Sequence, residues 1–194
     1  MEFIYKLNLK KKTIYLYIML TIDRIRDYAS FLIASISSYI YFTDGDCKTI
    51  SHFIAMYLMT DFFINKKVDL YIHHVIGLSL YSFVYMNNNL SGYENNCIKP
   101  FIAVEISSVF YSIDFLYPNN YFSTLNNLLF IVTFFYYRIY RYYYDVILNN
   151  DITDMIENTG QISKYFYYSA VYNLYILNMY WFSIILKVIL KKLR

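Results

Sequence analysis

Long apolar runs separated by short polar ones divide the chain into six stretches, at residues 28–42, 50–64, 70–86, 98–116, 125–144 and 165–190. A backbone inside a bilayer must pair its own polar groups, so runs of this kind are read as helices. The first, "YASFLIASISSYIYF", carries small residues that let a neighbouring helix approach closely. The fourth opens near Pro100, placed in a first turn where the missing N–H costs nothing. The fifth ends in an aromatic, Arg-rich stretch that reads as an interface belt around Arg138 and Arg141. Several runs fall short of the ~20 residues of a spanning helix, which tilt, bilayer thinning or a re-entrant path for the second and fourth would reconcile. The segment 14–22 is too short to count as a further span. The predicted fold is all-α, a polytopic membrane bundle of about six transmembrane helices.

Composition supports that class. Hydrophobic residues make up 58% of the 194, and with only four Gly and two Pro no linker divides them. One membrane domain is expected over 24–187, between a basic N-terminal segment (1–23) and a basic tail (188–194). The 26 Tyr and 16 Phe, with recurrent Asn pairs, match AT-rich codon usage, so no aromatic cage or prion-like tract is read into them. The net charge of +3 is small and the basic residues flank apolar runs, so nucleic acid is not an expected partner.

Lysine and arginine counts orient the bundle. Lys6, Lys10–Lys12, Arg24 and Arg26 precede the first span, Lys66 and Lys67 follow the second, and Lys187, Lys191, Lys192 and Arg194 close the last. Six spans put all three groups on one side, which the positive-inside rule makes cytoplasmic, together with both termini. Arg138, Arg141 and Lys164 oppose this assignment. "KKKTIYLYIML" lacks a small-residue cleavage site after it, so no signal peptide is expected. The closing "KKLR" resembles a dilysine retrieval signal of the endoplasmic reticulum, or else anchors the last span by snorkelling. Cys47, Cys97 and the sequon Asn89–Leu90–Ser91 fall on the opposite, lumenal side, where a disulfide is possible and two free thiols are the simpler state.

The chemistry lies in ionisable residues inside apolar runs: Asp61, His73, His74 and Glu105. Each costs at least ~2.5 kcal/mol near a helix centre in a membrane, so they are expected to face the bundle interior. His73 and His74 point about 100° apart on a helix. Asp69, four residues before His73, is placed to orient that imidazole. Three readings stay open: polar groups that satisfy one another, a metal site, or an acid–base or nucleophilic centre. With only three His in the chain, no metal is expected.

Four stretches together resemble the TLC domain family, the membrane domain shared by ceramide synthases, the translocating-chain-associating membrane protein and related lipid proteins. They are "MYLMTDFF" (56–63), "DLYIHHVIGLSL" (69–80), "FIAVEISSVFYSIDFL" (101–116), and the pair "NNLLFIVTFFYYRI" and "LNMYWFSIILK". The resemblance implies helices around a lipid-accessible cavity, membrane lipids as partners and residence in the endoplasmic reticulum. For a synthase-like chain it implies His73, His74 and Asp61 as catalytic residues and acyl-CoA as co-substrate, with no other cofactor. It also implies Glu105, Ser107 and Trp181 as substrate-binding residues. The synthases' "HDxxD" segment and homeobox-like insert are missing, which brings the chain closer to the branch outside the synthases. The expected function is therefore lipid binding or regulation of membrane lipids without catalysis. A lipid N-acyltransferase and a protein-cargo or translocation accessory are the alternatives.

Overall fold

The computed structural model describes residues 2–64, 67–86, 94–117, 123–157 and 159–192, and among these it is helical with no strand. The first helix, α1 (Glu2–Thr43), is far longer than the expected run 28–42, because residues 2–43 contain neither Gly nor Pro to stop it. The helix therefore runs unbroken through residue 23. It ends where Asp44 turns to φ 52° and the Gly45 amide donates to the Ile40 carbonyl at 3.0 Å. Asp tolerates this left-handed position better than most residues.

Asp46 then caps α2 (Cys47–Ile64). Its carboxylate accepts from the amides of Lys48 and Thr49 at 3.0 and 3.2 Å and from the Thr49 hydroxyl at 2.5 Å. Next come α3 (Val68–Met86), α4 (Glu94–Ala103) and α5 (Glu105–Leu116), the last two forming one path with a break at Val104. Because α4 begins at Glu94, Pro100 lies inside the helix and not in its first turn. There it withholds a hydrogen-bond donor from the preceding turn.

Helix α6 (Ser123–Thr133) passes directly into π-helical turns over Phe134–Arg141 and Tyr143–Ile147. A short α7 (Asn150–Glu157), absent from the sequence reading, tucks Ile152 and Ile156 against Tyr167 and Val171 of α8 (Gln161–Lys192).

The helices close a ring: α1 packs on α2, α2 on α3, α3 on α8, α8 on the π-helical stretch, α6 on α5, and α5 on α1. Cross-ring contacts show neighbours running antiparallel. Ser51 meets Tyr85 and Asp61 meets His74 between α2 and α3. Phe83 meets Tyr167 and Asp69 meets Trp181 between α3 and α8. Phe134 stacks near Phe182 and Tyr142 near Tyr175 between the π-helical stretch and α8.

Two apolar clusters fill one end of the ring, one around Cys47, Val84 and Ile102, the other around Leu80, Tyr142 and Val171. Outward-facing side chains are apolar over most of the surface, among them Phe63, Met86, Ile162 and Ile176. A water-soluble chain does not normally expose so much apolar area. One helix among the described residues, Gln161–Lys191, is long and apolar enough by itself to cross a membrane, with mean hydropathy 1.5. The others are shorter or more polar. Among the described residues Cys47 is a buried free thiol, while the Cys97 side chain, the sequon at 89–91 and Arg194 lie outside them.

Candidate functional site

The end of the ring away from the apolar clusters holds a partly open cavity of about 420 Å³. All six residues singled out from sequence line it: Asp61, His73, His74, Glu105, Ser107 and Trp181. They come from four elements. Asp61 is in the last turns of α2, the histidines are on α3, Glu105 and Ser107 begin α5, and Trp181 belongs to α8.

Asp61 and His74 are both 4% exposed, and His74 Nε2 lies 3.4 Å from Asp61 Oδ2. That is slightly beyond the usual N–H···O distance. A proton on Nε2 faces the carboxylate, which leaves the lone pair on Nδ1, a buried atom with no partner among the described residues. Asp61 is also approached by Arg26 Nε at 3.9 Å, and the same guanidinium holds Asp27 at 3.1 Å.

His73 takes no part in that pair. Its ring lies 5.6 Å from the His74 ring and 5.3 Å from the Trp181 ring, and its Nδ1 is likewise buried without a partner. Asp69 does not orient it, contrary to the spacing argument. Asp69 Oδ2 instead accepts the Trp181 indole N–H at 2.8 Å, because α8 brings that donor directly onto the first turn of α3.

The largest correction concerns Arg138. It is no interface residue but a buried one, 7% exposed, at the cavity wall. Its Nε donates to Ser107 Oγ at 2.7 Å and its Nη2 to Ser108 Oγ at 2.8 Å, and its guanidinium lies 5.2 Å from the Phe134 ring centre. The π-helical turns that carry it are a rare geometry, frequently seen at functional sites. Arg141, one turn on, pairs with Asp145 near the surface. Only the burial tells the two arginines apart, and no local sequence signal announces it.

Sequence reasoning also missed Arg26 and Asp27 as cavity residues, and it missed Asn178. Asn178 is 1% exposed, and its side-chain amide has no hydrogen-bond partner among the described residues. The third histidine, His52, stays outside the cavity, on the Lys48 carbonyl at 2.7 Å and beside the Tyr85 ring. Among the described residues no group of three or more His, Cys, Asp or Glu side chains converges as metal ligands would.

A sequence comparison with protein families adds the family of the chain. The TLC domain model matches residues 13–187. The chain belongs to the TLC domain family. As a TLC protein it is a membrane, lipid-related protein, and the match begins well inside α1. No curated protein and no solved structure matches it.

Proposed function

We propose that this TLC protein is a multi-pass protein of the endoplasmic reticulum membrane that takes a lipid into its cavity and acts on lipid composition, sensing or trafficking without catalysis. The observation that carries the reading is the lining of the cavity. Ile33, Ile54, Ile184 and Ile185 offer apolar wall to a chain, while Arg26, Asp61, Glu105 and Arg138 offer charge to a headgroup. The antiparallel ring supports six crossings, by α1, α2, α3, α4 with α5, α6 with the π-helical stretch, and α8. Burial of Arg138 removes one of the cations that opposed cytoplasmic termini.

Mass spectrometry of lipid released from the purified protein tests the reading. A retained phospholipid or sphingolipid is the expected result, and a protein stripped clean under mild detergent would contradict it.

One contact favours a second reading, an acyl-CoA-dependent lipid N-acyltransferase. His74 set against Asp61 is a base with its orienting acid. His74 would take the proton of a lipid amine as its nitrogen bonds the acyl carbon, the C–S bond breaks, and the coenzyme A thiolate is protonated as it leaves. For this reading, His74→Ala must abolish acyl transfer at unchanged protein level, and a long-chain acyl-CoA should co-purify.

A further inference from the structure

Two charged groups facing the cavity make no ion-pair contact among the described residues. Arg138 spends two of its donors on the Ser107 and Ser108 hydroxyls, and its remaining N–H groups have no acceptor among the described residues. Neutral hydroxyls do not balance a guanidinium, and buried charges are normally paired. Glu105 is the complementary case: its side chain lines the same cavity and makes no hydrogen bond or ion pair among the described residues.

The other carboxylates of the wall are engaged, Asp27 and Asp61 by Arg26, Asp61 also by His74, and Asp69 by Trp181. Arg138 and Glu105 act on each other electrostatically but do not meet as an ion pair. The reason is visible in α5. The Ser107 hydroxyl donates to the Val104 carbonyl at 3.0 Å, so its lone pairs receive Arg138, and the two serines hold the guanidinium back from Glu105. A cation held by two hydroxyls and a carboxylate with no bonded partner among the described residues thus face the same cavity.

We propose that this space seats a zwitterionic lipid headgroup, its anionic phosphate on Arg138 and an adjacent primary ammonium on Glu105. The proposal rests on the lipid-binding reading and narrows it. A purely anionic head would satisfy Arg138 but face Glu105, and a purely cationic head would do the reverse. A primary ammonium gives Glu105 both charge and N–H donors, whereas a quaternary one gives charge alone.

The test offers the purified wild-type protein an equal mixture of phosphatidylethanolamine, phosphatidylcholine and phosphatidylglycerol of one chain composition, with bound lipid counted by native mass spectrometry. Phosphatidylethanolamine should exceed phosphatidylglycerol by about tenfold, the ratio set by a charge-assisted hydrogen bond, with phosphatidylcholine between them. Glu105→Gln should move the preference towards phosphatidylglycerol, and Arg138→Gln should lower retention of all three.

If Arg138→Gln does not fold, the wild-type competition and Glu105→Gln still decide. Equal retention by the wild type, or an unchanged order in Glu105→Gln, overturns the proposal. So does a double variant that recovers thermal stability lost in both single ones while selectivity never changes, since the two charges would then serve only each other. A wild-type protein that retains no lipid at all sinks the lipid-binding reading itself, and lipid retained without headgroup preference sinks only the zwitterionic seat.

Discussion

His74 Nε2 of α3 stands 3.4 Å from Asp61 Oδ2 of α2, with both side chains 4% exposed, and this pair ties two adjacent helices together at the cavity. Removing Asp61 leaves the His74 ring buried without its acceptor, and removing His74 takes one partner from a buried carboxylate, a loss of roughly 1–3 kcal/mol. Asp61→Asn and His74→Ala should therefore each lower the thermal midpoint in detergent. The two together should cost less than their sum, because the contact between them is lost only once. Additive losses would show that the pair does not interact.

Asp46 offers a pH-dependent handle in the turn between α1 and α2, away from the cavity. The Thr49 hydroxyl first, then the Thr49 and Lys48 amides, hold its carboxyl below the usual aspartate range. A carboxyl lowered in the folded state contributes stability that is present above its unfolded pKa and is lost as pH falls through the folded one. Asp46→Ala should therefore melt below the wild type at neutral pH, and the difference should close in acid. A difference that persists at pH values where the wild-type carboxyl is protonated would rule out the cap as its source.

The apolar pattern located the main helices because burial and lipid exposure both act on runs of side chains, which a sequence displays directly. Helix α3 begins two residues before the expected 70, and both end at Met86. The grouping of Asp61, His73, His74, Glu105, Ser107 and Trp181 around one cavity follows from charges too costly to leave in lipid, together with the family motifs. Arg138 was out of reach because an arginine beside aromatics reads the same at an interface as in a core. What separates the two is Ser107 and Ser108 waiting on α5, a contact across more than twenty intervening residues. Asp69 was misassigned for the same kind of reason. Its neighbour in sequence, His73, was visible, and its partner on α8 was not.

Gly77 of α3 faces Leu58 of α2, and a Cβ at Gly77 would lie 3.1 Å from the leucine Cδ1. Gly77→Ala presses only on the end of a flexible side chain, and the better helix propensity of Ala, roughly 1 kcal/mol, offsets that pressure. Its midpoint should stay close to the wild type. Gly77→Val adds branched bulk that Leu58 cannot clear by moving one methyl, and overpacking of this kind costs about 1–3 kcal/mol. Thermal unfolding of the two variants side by side checks the close approach. Equal behaviour would mean that α2 and α3 do not depend on a small residue there.

Trp181 is the chain's only tryptophan, and it stands at the cavity with its indole N–H on Asp69 and its ring beside His73. Intrinsic tryptophan fluorescence therefore reports on this one place. Trp181 lines the cavity, so a lipid chain seated there comes near the indole. Brominated-chain lipid should quench the emission more than lipid exposure alone does, and a competing unbrominated lipid of the preferred headgroup should restore it. Trp181→Phe keeps an aromatic ring but removes the donor to a carboxylate, a bond worth roughly 1.5–3 kcal/mol when fully buried and less for this half-buried pair. A small fall in midpoint is expected, and it should disappear when Asp69→Ala is already present. Quenching that follows total lipid concentration without saturating would place the indole in the surrounding lipid and not at a binding cavity.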